Sequence, residues 1–320
     1  MSVDIQQFKQ VRALVIGDLM IDEYLWGDVD RISPEAPVPV VSVKRESFTL
    51  GGAGNVINNL ISMGASVTAV GTAGTGKGGE MILSKLADLK VGTQGIIREP
   101  DRPTTRKTRV IASNQQVVRI DKEIKQEISQ ETLGAILELI EKEIRHKDLV
   151  IISDYDKGLV TRELVAGVSR LAADRKIPVL ADPKARRFDK YKGVTLLTPN
   201  KKEASQAANL TIETQEDLVE AGRIITEQAD LEKLIITCGK DGMVLFEKGE
   251  ITHTIASRAR QVFDVSGAGD TVISLLGLGL AANGDFKDAA QVANAAAGIV
   301  VGKLGTATAT VDELQIALDD

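Results

Sequence analysis

The stretch VFDVSGAGDTVISLLGLGLAANG, residues 262–284, decides how the rest of the chain is read. Asp264 is followed by Ser-Gly-Ala-Gly-Asp and then at once by an apolar run with helical spacing. Gly267 and Gly269 let the backbone turn sharply with its N–H groups unobstructed. Those groups open a helix, where partial positive charge attracts phosphate oxygens. Asp270 falls in the first helical turn. An acid there is a common dipole-stabilising choice, but a Gly-Ala-Gly turn directly before it has no such structural need. The combination suits phosphoryl transfer: N–H donors face the moving phosphoryl group, and the carboxylate takes the acceptor hydroxyl's proton.

A second glycine-rich stretch competes for the nucleotide. In GTAGTGKGG, residues 71–79, Gly74, Gly76 and Gly79 spell the dinucleotide fingerprint G-x-G-x-x-G. A strand-like SVTAV precedes it, and Glu99 follows where a ribose-binding acid would sit. Gly71, Gly76 and Lys77 also spell a P-loop, but Gly78 stands where a magnesium-binding hydroxyl is required. Against the dinucleotide reading, the glycines begin four residues past the strand rather than at its tight turn. A plain turn at a strand's edge remains the third reading, and residues 267–270 are the stronger phosphate site.

Composition narrows the classes. The chain has 320 residues, 43% apolar and 26% charged, which suits one large soluble α/β domain. A net charge of −6 argues against a nucleic-acid partner, which demands clustered positive charge. Cys238 is the single cysteine, so no internal disulfide forms, which fits a reducing cytoplasm. His146 and His253 are too few for a histidine-based zinc cage. The N-terminal stretch lacks a basic region followed by an apolar one, and no apolar run reaches the ~20 residues of a membrane helix. A cytoplasmic location without membrane partners is expected.

Short β-branched runs alternate with helical patterns, the signature of a parallel sheet covered by helices. Strands are predicted at 13–17, 66–70, 149–153, 178–182, 195–198 and 234–237. Helices are predicted at 54–63, 79–88, 130–145, 161–174, 214–229, 268–282 and 286–302. Two segments break this rhythm. Residues 23–47 are rich in proline, and residues 104–121 resemble a hairpin around a Ser113-Asn114 turn. Together they predict a small β layer on one domain spanning residues 1–320.

Four motifs carry a family resemblance. Asp264 to Asp270, D-V-S-G-A-G-D, resembles the C-terminal signature of the PfkB (ribokinase-like) carbohydrate kinases. Gly51, Gly52 and Asn55 resemble its N-terminal signature, which grips sugar hydroxyls. Asn200-Lys201-Lys202-Glu203 resembles its N-x-x-E motif, which arranges Mg²⁺ and the ATP phosphates, often through water. Thr237, Gly239 and Gly242 resemble its nucleotide-binding T-x-G-x-x-G turn. The four occur in the family's order. The resemblance implies a three-layer α/β/α fold with a mainly parallel central sheet and a small β-sheet lid. It implies ATP and Mg²⁺ as cofactors, with Asp270 as base and Gly267, Ala268 and Gly269 as the phosphoryl cradle. It also aligns residues 70–80 with a common family loop whose usual acidic pair is here Thr75-Gly76, which makes both glycine motifs in that loop accidental.

Further segments resemble one branch, the D-glycero-β-D-manno-heptose 7-phosphate kinases: 17–22, 31–40, Ser153 to Gly158, Asp182-Pro183-Lys184 and 193–200. That branch phosphorylates the anomeric hydroxyl of its substrate for lipopolysaccharide core synthesis. Asp18 and Asp22 lie where the strand at 13–17 ends, at the edge where such folds bind ligands. Arg106, Lys107, Arg109 and Arg119 crowd the predicted hairpin, and a phosphorylated sugar needs a cationic clamp. Alternation places Lys107 and Arg109 on one face and Arg106 on the other; a solvated strand protected by edge charges is the plainer reading. Asn294 is expected near the base. The resemblance further implies a homodimer through the β lid. The adenylyltransferase to which such kinases are often fused is expected on another polypeptide or on a part outside these residues. The alternatives are another sugar kinase of this fold (a ribokinase or phosphofructokinase), a catalytically silent sugar-binding relative, and a nicotinamide-dependent oxidoreductase.

Overall fold

The computed structural model describes residues 3–319, apart from 114, 185 and 260. Strand β1 (Arg12–Gly17) is apolar on both faces because both are covered. Ala13 and Val15 enter one core cluster, and Leu14 and Ile16 enter the other. The chain leaves β1 directly into β2 (Leu19–Ile32), which pairs antiparallel with β3 (Pro39–Gly52). Burial fades along β2 from its inner to its outer end, so this ribbon projects from the body. Helix α1 (Ala53–Ser62) returns to the core, and β4 (Ser66–Gly74) pairs parallel with β1. Helix α2 (Lys77–Asp88) and edge strand β5 (Ile96–Glu99) follow. Strand β6 (Thr105–Ala112) then crosses to β2, and β7 (Gln115–Lys122) completes a four-stranded sheet in the order β3-β2-β6-β7.

The second half builds the rest of the main sheet: α3 (Gln130–Glu143), β8 (Leu149–Ser153), α4 (Arg162–Ala173), β9 (Val179–Asp182), β10 (Leu196–Leu197), α5 (Lys201–Ala208), α6 (Gln215–Ala229), β11 (Lys233–Thr237), β12 (Met243–Glu247), β13 (Glu250–Ile255), α7 (Ala268–Ala281), α8 (Phe286–Val300) and α9 (Val311–Asp319). Among the described residues, nine strands run in the order β13-β12-β11-β10-β9-β8-β1-β4-β5, parallel except at β12 and β13. Helices α1, α2, α7, α8 and α9 pack on one face and α3 to α6 on the other. The chain extends from β1 toward β4 on one side and from β8 toward β11 on the other. The carboxyl edge near β1 and β8 is therefore a topological switch point, where such sheets bind ligands.

The predicted helices appear within two residues of their expected ends. The first part of the β layer extends beyond the expected 23–47 at both ends, as 19–32 and 39–52, while the second, 105–112 and 115–122, lies within one residue of the expected 104–121. Asn114 of the expected turn lies outside the described residues. Elements β5, β12, β13, α5 and α9 were not expected from the sequence. Among the described residues, no helix is long and apolar enough to cross a membrane.

Candidate active site

The site is assembled where α1 crosses α7. A buried polar seam fixes the crossing. Thr271 donates to Asn59 Oδ1 at 2.9 Å, Asn59 donates to the Asn55 carbonyl at 2.9 Å, and Ser274 donates to the Val56 carbonyl at 3.3 Å. This seam sets Asn55 beside the first turn of α7. Asn55 Nδ2 donates to Asp270 Oδ2 at 2.7 Å, and Asn55 Oδ1 is buried without a partner among the described residues. The amide orientation follows from chemistry, because an ionised carboxylate only accepts. An orphaned buried acceptor costs stability unless a ligand satisfies it.

The glycines around this crossing are there for close approach. Gly267 caps α7 at φ 83°, and a Cβ on it would lie 2.5 Å from Asn55 Nδ2. A Cβ on Gly51 would lie 2.3 Å from Asp22 Oδ2, and one on Gly52, at φ 57°, would lie 2.5 Å from the Asp18 carbonyl. The Gly-Gly pair thus admits both acids to the end of β3. Gly269 has open space, with Asp182 Oδ2 nearest at 4.0 Å. The Ala268 N–H is already engaged by the Val265 carbonyl at 3.2 Å.

Asp270 is 3% exposed, and burial raises its pKa to about 6. Hydrogen bonds from Asn55 and from the Tyr155 hydroxyl, the latter at 2.9 Å to Oδ1, work against that rise, and nearby Asp22 adds to it. Asp18 is also raised to about 6, first by burial and then by Asp154. Its Oδ2 accepts the N–H groups of Tyr155 (2.8 Å) and Lys157 (3.2 Å), so Asp18 holds the turn after β8 in place.

Asp270 shares a cleft of about 150 Å³ with Asp154, Tyr155, Asp182, Lys184, Thr198, Asn200, Glu203, Thr237, Gly267 and Gly269. The parallel strands β8 to β11 all end here. Asn200 and Glu203 form a reciprocal capping box on α5, with both bonds at 3.0 Å. The other Glu203 oxygen, Oε1, accepts from Lys184 at 2.5 Å. Lys201 and Lys202 occupy the first turn of α5 but do not line the cleft; the cation that does is Lys184. Thr237 lines it too. Gly239 (φ 59°) and Gly242 (φ 90°) shape the following turn, where a Cβ on Gly242 would lie 2.0 Å from the Ile255 carbonyl. Asn294 on α8 donates its amide to the Ala256 carbonyl at 2.8 Å and is not among the residues lining this cleft.

The four-stranded sheet presents cations that are already paired. Arg109 reaches Asp22 at 2.5 Å and lies 5.2 Å over the Tyr24 ring. Lys107 contacts Asp121 (3.2 Å) and Glu123 (3.1 Å), and Arg119 contacts Asp121 at 2.9 Å. The pairing register puts Lys107 and Arg109 on the face of Asp22 and Tyr24. Arg106 lies on the opposite face, 3.5 Å from Glu23, so the structure does not bring it to Asp22.

Residues 71–79 have structural uses of their own. A Cβ on Gly79 would lie 1.8 Å from the Gly74 carbonyl, and one on Gly74 would lie 2.4 Å from the Arg102 carbonyl. Glu99 is tied to Arg102 and accepts from Thr132 at 2.8 Å, an anchor for the turn before β6. A cavity of about 890 Å³ lies between Arg258, Gln261, Phe263, α8 and α9 and shares no lining residue with the Asp270 cleft.

With this geometry in view, the comparison with known proteins is direct. The model of the pfkB family carbohydrate kinases matches residues 11–313. The chain belongs to this family. Bifunctional protein HldE of Desulfatibacillum aliphaticivorans is 53% identical over 319 residues, which cover 100% of this chain and 65% of that protein. Bifunctional protein HldE of Geobacter sulfurreducens is 46% identical over 304 residues, covering 95% of this chain and 62% of that one. The chain therefore spans slightly under two thirds of these relatives' length. Among solved structures, Arabidopsis thaliana ribokinase complexed with ribose and ATP superposes with a TM-score of 0.77 at 19% identity, over 97% of this chain and 99% of that one. Phosphofructokinase-2 from Escherichia coli in complex with potassium gives 0.79 at 19% identity, over 97% and 98%. These two establish the shared fold. As a pfkB-family member, the chain is an ATP-dependent carbohydrate kinase by class.

Proposed function

We propose that this kinase phosphorylates the anomeric C1 hydroxyl of D-glycero-β-D-manno-heptose 7-phosphate with ATP, giving the 1,7-bisphosphate for ADP-heptose and lipopolysaccharide core synthesis. The observation that carries the reading is Asp270: a buried carboxylate with a pKa near 6, at the uncapped mouth of α7, in one cleft with Asn200, Glu203 and Thr237. A base works best with a pKa near the operating pH, and at pH 7 this carboxylate is mostly ionised.

Asp270 takes the hydroxyl proton as the oxygen attacks the γ-phosphorus, whose bond to the bridging oxygen breaks so that ADP leaves. The N–H groups of the first turn of α7 after Ala268, whose own is taken by the Val265 carbonyl, face the charge on the transferred phosphoryl group. Asn55 Oδ1 offers an acceptor to a sugar hydroxyl, and Asp22 and Asp18 stand beside it. Lys107 and Arg109 exchange their carboxylate partners for the substrate's 7-phosphate. ATP lies along Asn200–Glu203 and Thr237–Gly242.

Mg²⁺ fits this site through water. Among the described residues, no group of three His, Cys, Asp or Glu side chains is placed to hold a metal directly. Mg²⁺ keeps several waters and needs only one or two carboxylates beside substrate phosphates, a demand that Glu203 and Asn200 meet. When bound, it neutralises charge on the ATP phosphates.

The chain is read as one ribokinase-like domain whose four-stranded sheet is a lid. Val117, Val118 and Ile120 on edge strand β7 are exposed, as are Ile32 and Val43, which supports a homodimer through this sheet. The function is tested by ATP turnover against heptose 7-phosphate beside fructose phosphates and ribose. Preference for the heptose supports the reading, and preference for ribose or a fructose phosphate overturns it.

A further inference from the structure

We infer that Tyr155 is the positioning residue of this kinase: its phenol, opposite Asn55, fixes the plane and the basicity of the Asp270 carboxylate. The inference rests on the reading of Asp270 as the base.

The two carboxylate oxygens are gripped from two different elements. Asn55 on α1 holds Oδ2 at 2.7 Å, and Tyr155, in the turn after β8, holds Oδ1 at 2.9 Å. A carboxylate held at both oxygens cannot turn about its terminal torsion, yet each oxygen keeps a second lone pair for the substrate's hydroxyl.

The Tyr155 turn is itself pinned. Asp18 accepts from the Tyr155 and Lys157 N–H groups, and Asp154 Oδ1 accepts from the Asp156 N–H at 2.8 Å. Asp154 Oδ2 in turn accepts from the Tyr191 hydroxyl at 2.6 Å and pairs with Lys190 at 2.5 Å. Gly158, at φ 92°, lets the turn pass so close to Gln126 that a Cβ would lie 2.0 Å from its carbonyl. This is more scaffolding than a packing aromatic requires.

The charges around Asp270 explain why a neutral donor is needed. Asp22 from β2 acts on it repulsively, while burial, Glu203 and Asp270 itself hold the neighbouring Asp182, at the end of β9, well above the usual carboxylate range. The nearby cations are committed elsewhere, Arg109 to Asp22 and Lys184 to Glu203. The groups that bond the ionised base are thus Asn55 and Tyr155. Burial holds the Tyr155 hydroxyl well above its ordinary pKa, so it stays a donor. Removing it raises the pKa of Asp270 further, toward neutral pH, so that less of the base is ionised there.

The test is the pH dependence of kcat from pH 5 to 9, with saturating ATP and heptose 7-phosphate, for Tyr155→Phe. We expect the acid limb to move up by about one pH unit, a tenfold change in the ionisation equilibrium, with activity recovering at high pH and the KM for ATP unchanged. Replacing Tyr155 by a ring-fluorinated tyrosine, a stronger donor, moves the limb the other way and guards against a folding defect in the first variant. A limb unmoved in both proteins, or a uniform loss at every pH, overturns the inference. Asp270→Asn separates the two claims. If it turns over normally, the base assignment fails. If it is silent while the Tyr155 variants keep the wild-type limb, only the role of Tyr155 fails.

Discussion

Two helices open onto the same cleft, and each carries an acid at its third position. On α5 that acid is Glu203, and on α7 it is Asp270. Glu203 folds back on its own helix, bonding the Asn200 N–H while Asn200 caps in return. Asp270 does neither. Its cap is Gly267, which has no side chain and sits at φ 83°, and its carboxylate points away to Asn55 and Tyr155. The α5 acid and cap satisfy each other, whereas the α7 acid is held by other elements and its helix start is left to a ligand. A cap residue with a side chain makes a stable helix; a cap without one, beside a buried acid, makes a site for an anion and a base.

Breaking the α7 arrangement should have the largest effects. Asp270→Asn removes the base, and kcat is expected to fall ~10²–10⁴-fold with ATP binding retained, as checked by steady-state kinetics and nucleotide titration. Gly267→Ala puts a methyl where Asn55 Nδ2 sits and strains the backbone. A loss of kcat of about 10²-fold is expected, since small misplacements near the chemistry cost that much.

Lys107→Ala or Arg109→Ala should raise the KM for the phosphorylated sugar about tenfold or more, from one lost charge-assisted bond, while leaving the KM for ribose-like sugars without that phosphate unchanged. Wild-type kcat/KM should fall about tenfold per pH unit once the pH drops below about 6. The sign follows from the raised Asp270 value: the base works only when ionised, and protonation removes it. The smallest effect is expected on α5. Asn200→Ala removes a cap worth about 1 kcal/mol, seen as a modest drop in melting temperature, and weakens nucleotide binding.

The contrast also shows how far the sequence could be read. Gly267-Ala268-Gly269-Asp270 announces its chemistry because a glycine pair before an apolar helix has few other uses. The long helices and the buried parallel strands follow from periodicity alone. The elements left out are those with too few residues to show a period: β5 has 4 residues, α5 has 8 and α9 has 9. Strands β12 and β13 form an antiparallel hairpin on a sheet otherwise parallel, a departure that the βαβ rhythm hides. Tyr155 and Lys184 were missed as site residues because only the fold brings the ends of β8 and β9 to α7; their signal was their place just past two apolar strands.

The most direct test of the central claim is a crystal structure of the enzyme with a non-hydrolysable ATP analogue and the heptose phosphate. The account predicts the acceptor hydroxyl within about 2.6–3.2 Å of the Asp270 carboxylate and the terminal phosphate against the first turn of α7. A terminal phosphate lodged instead on residues 71–79, or an acceptor hydroxyl beyond reach of Asp270, would contradict it.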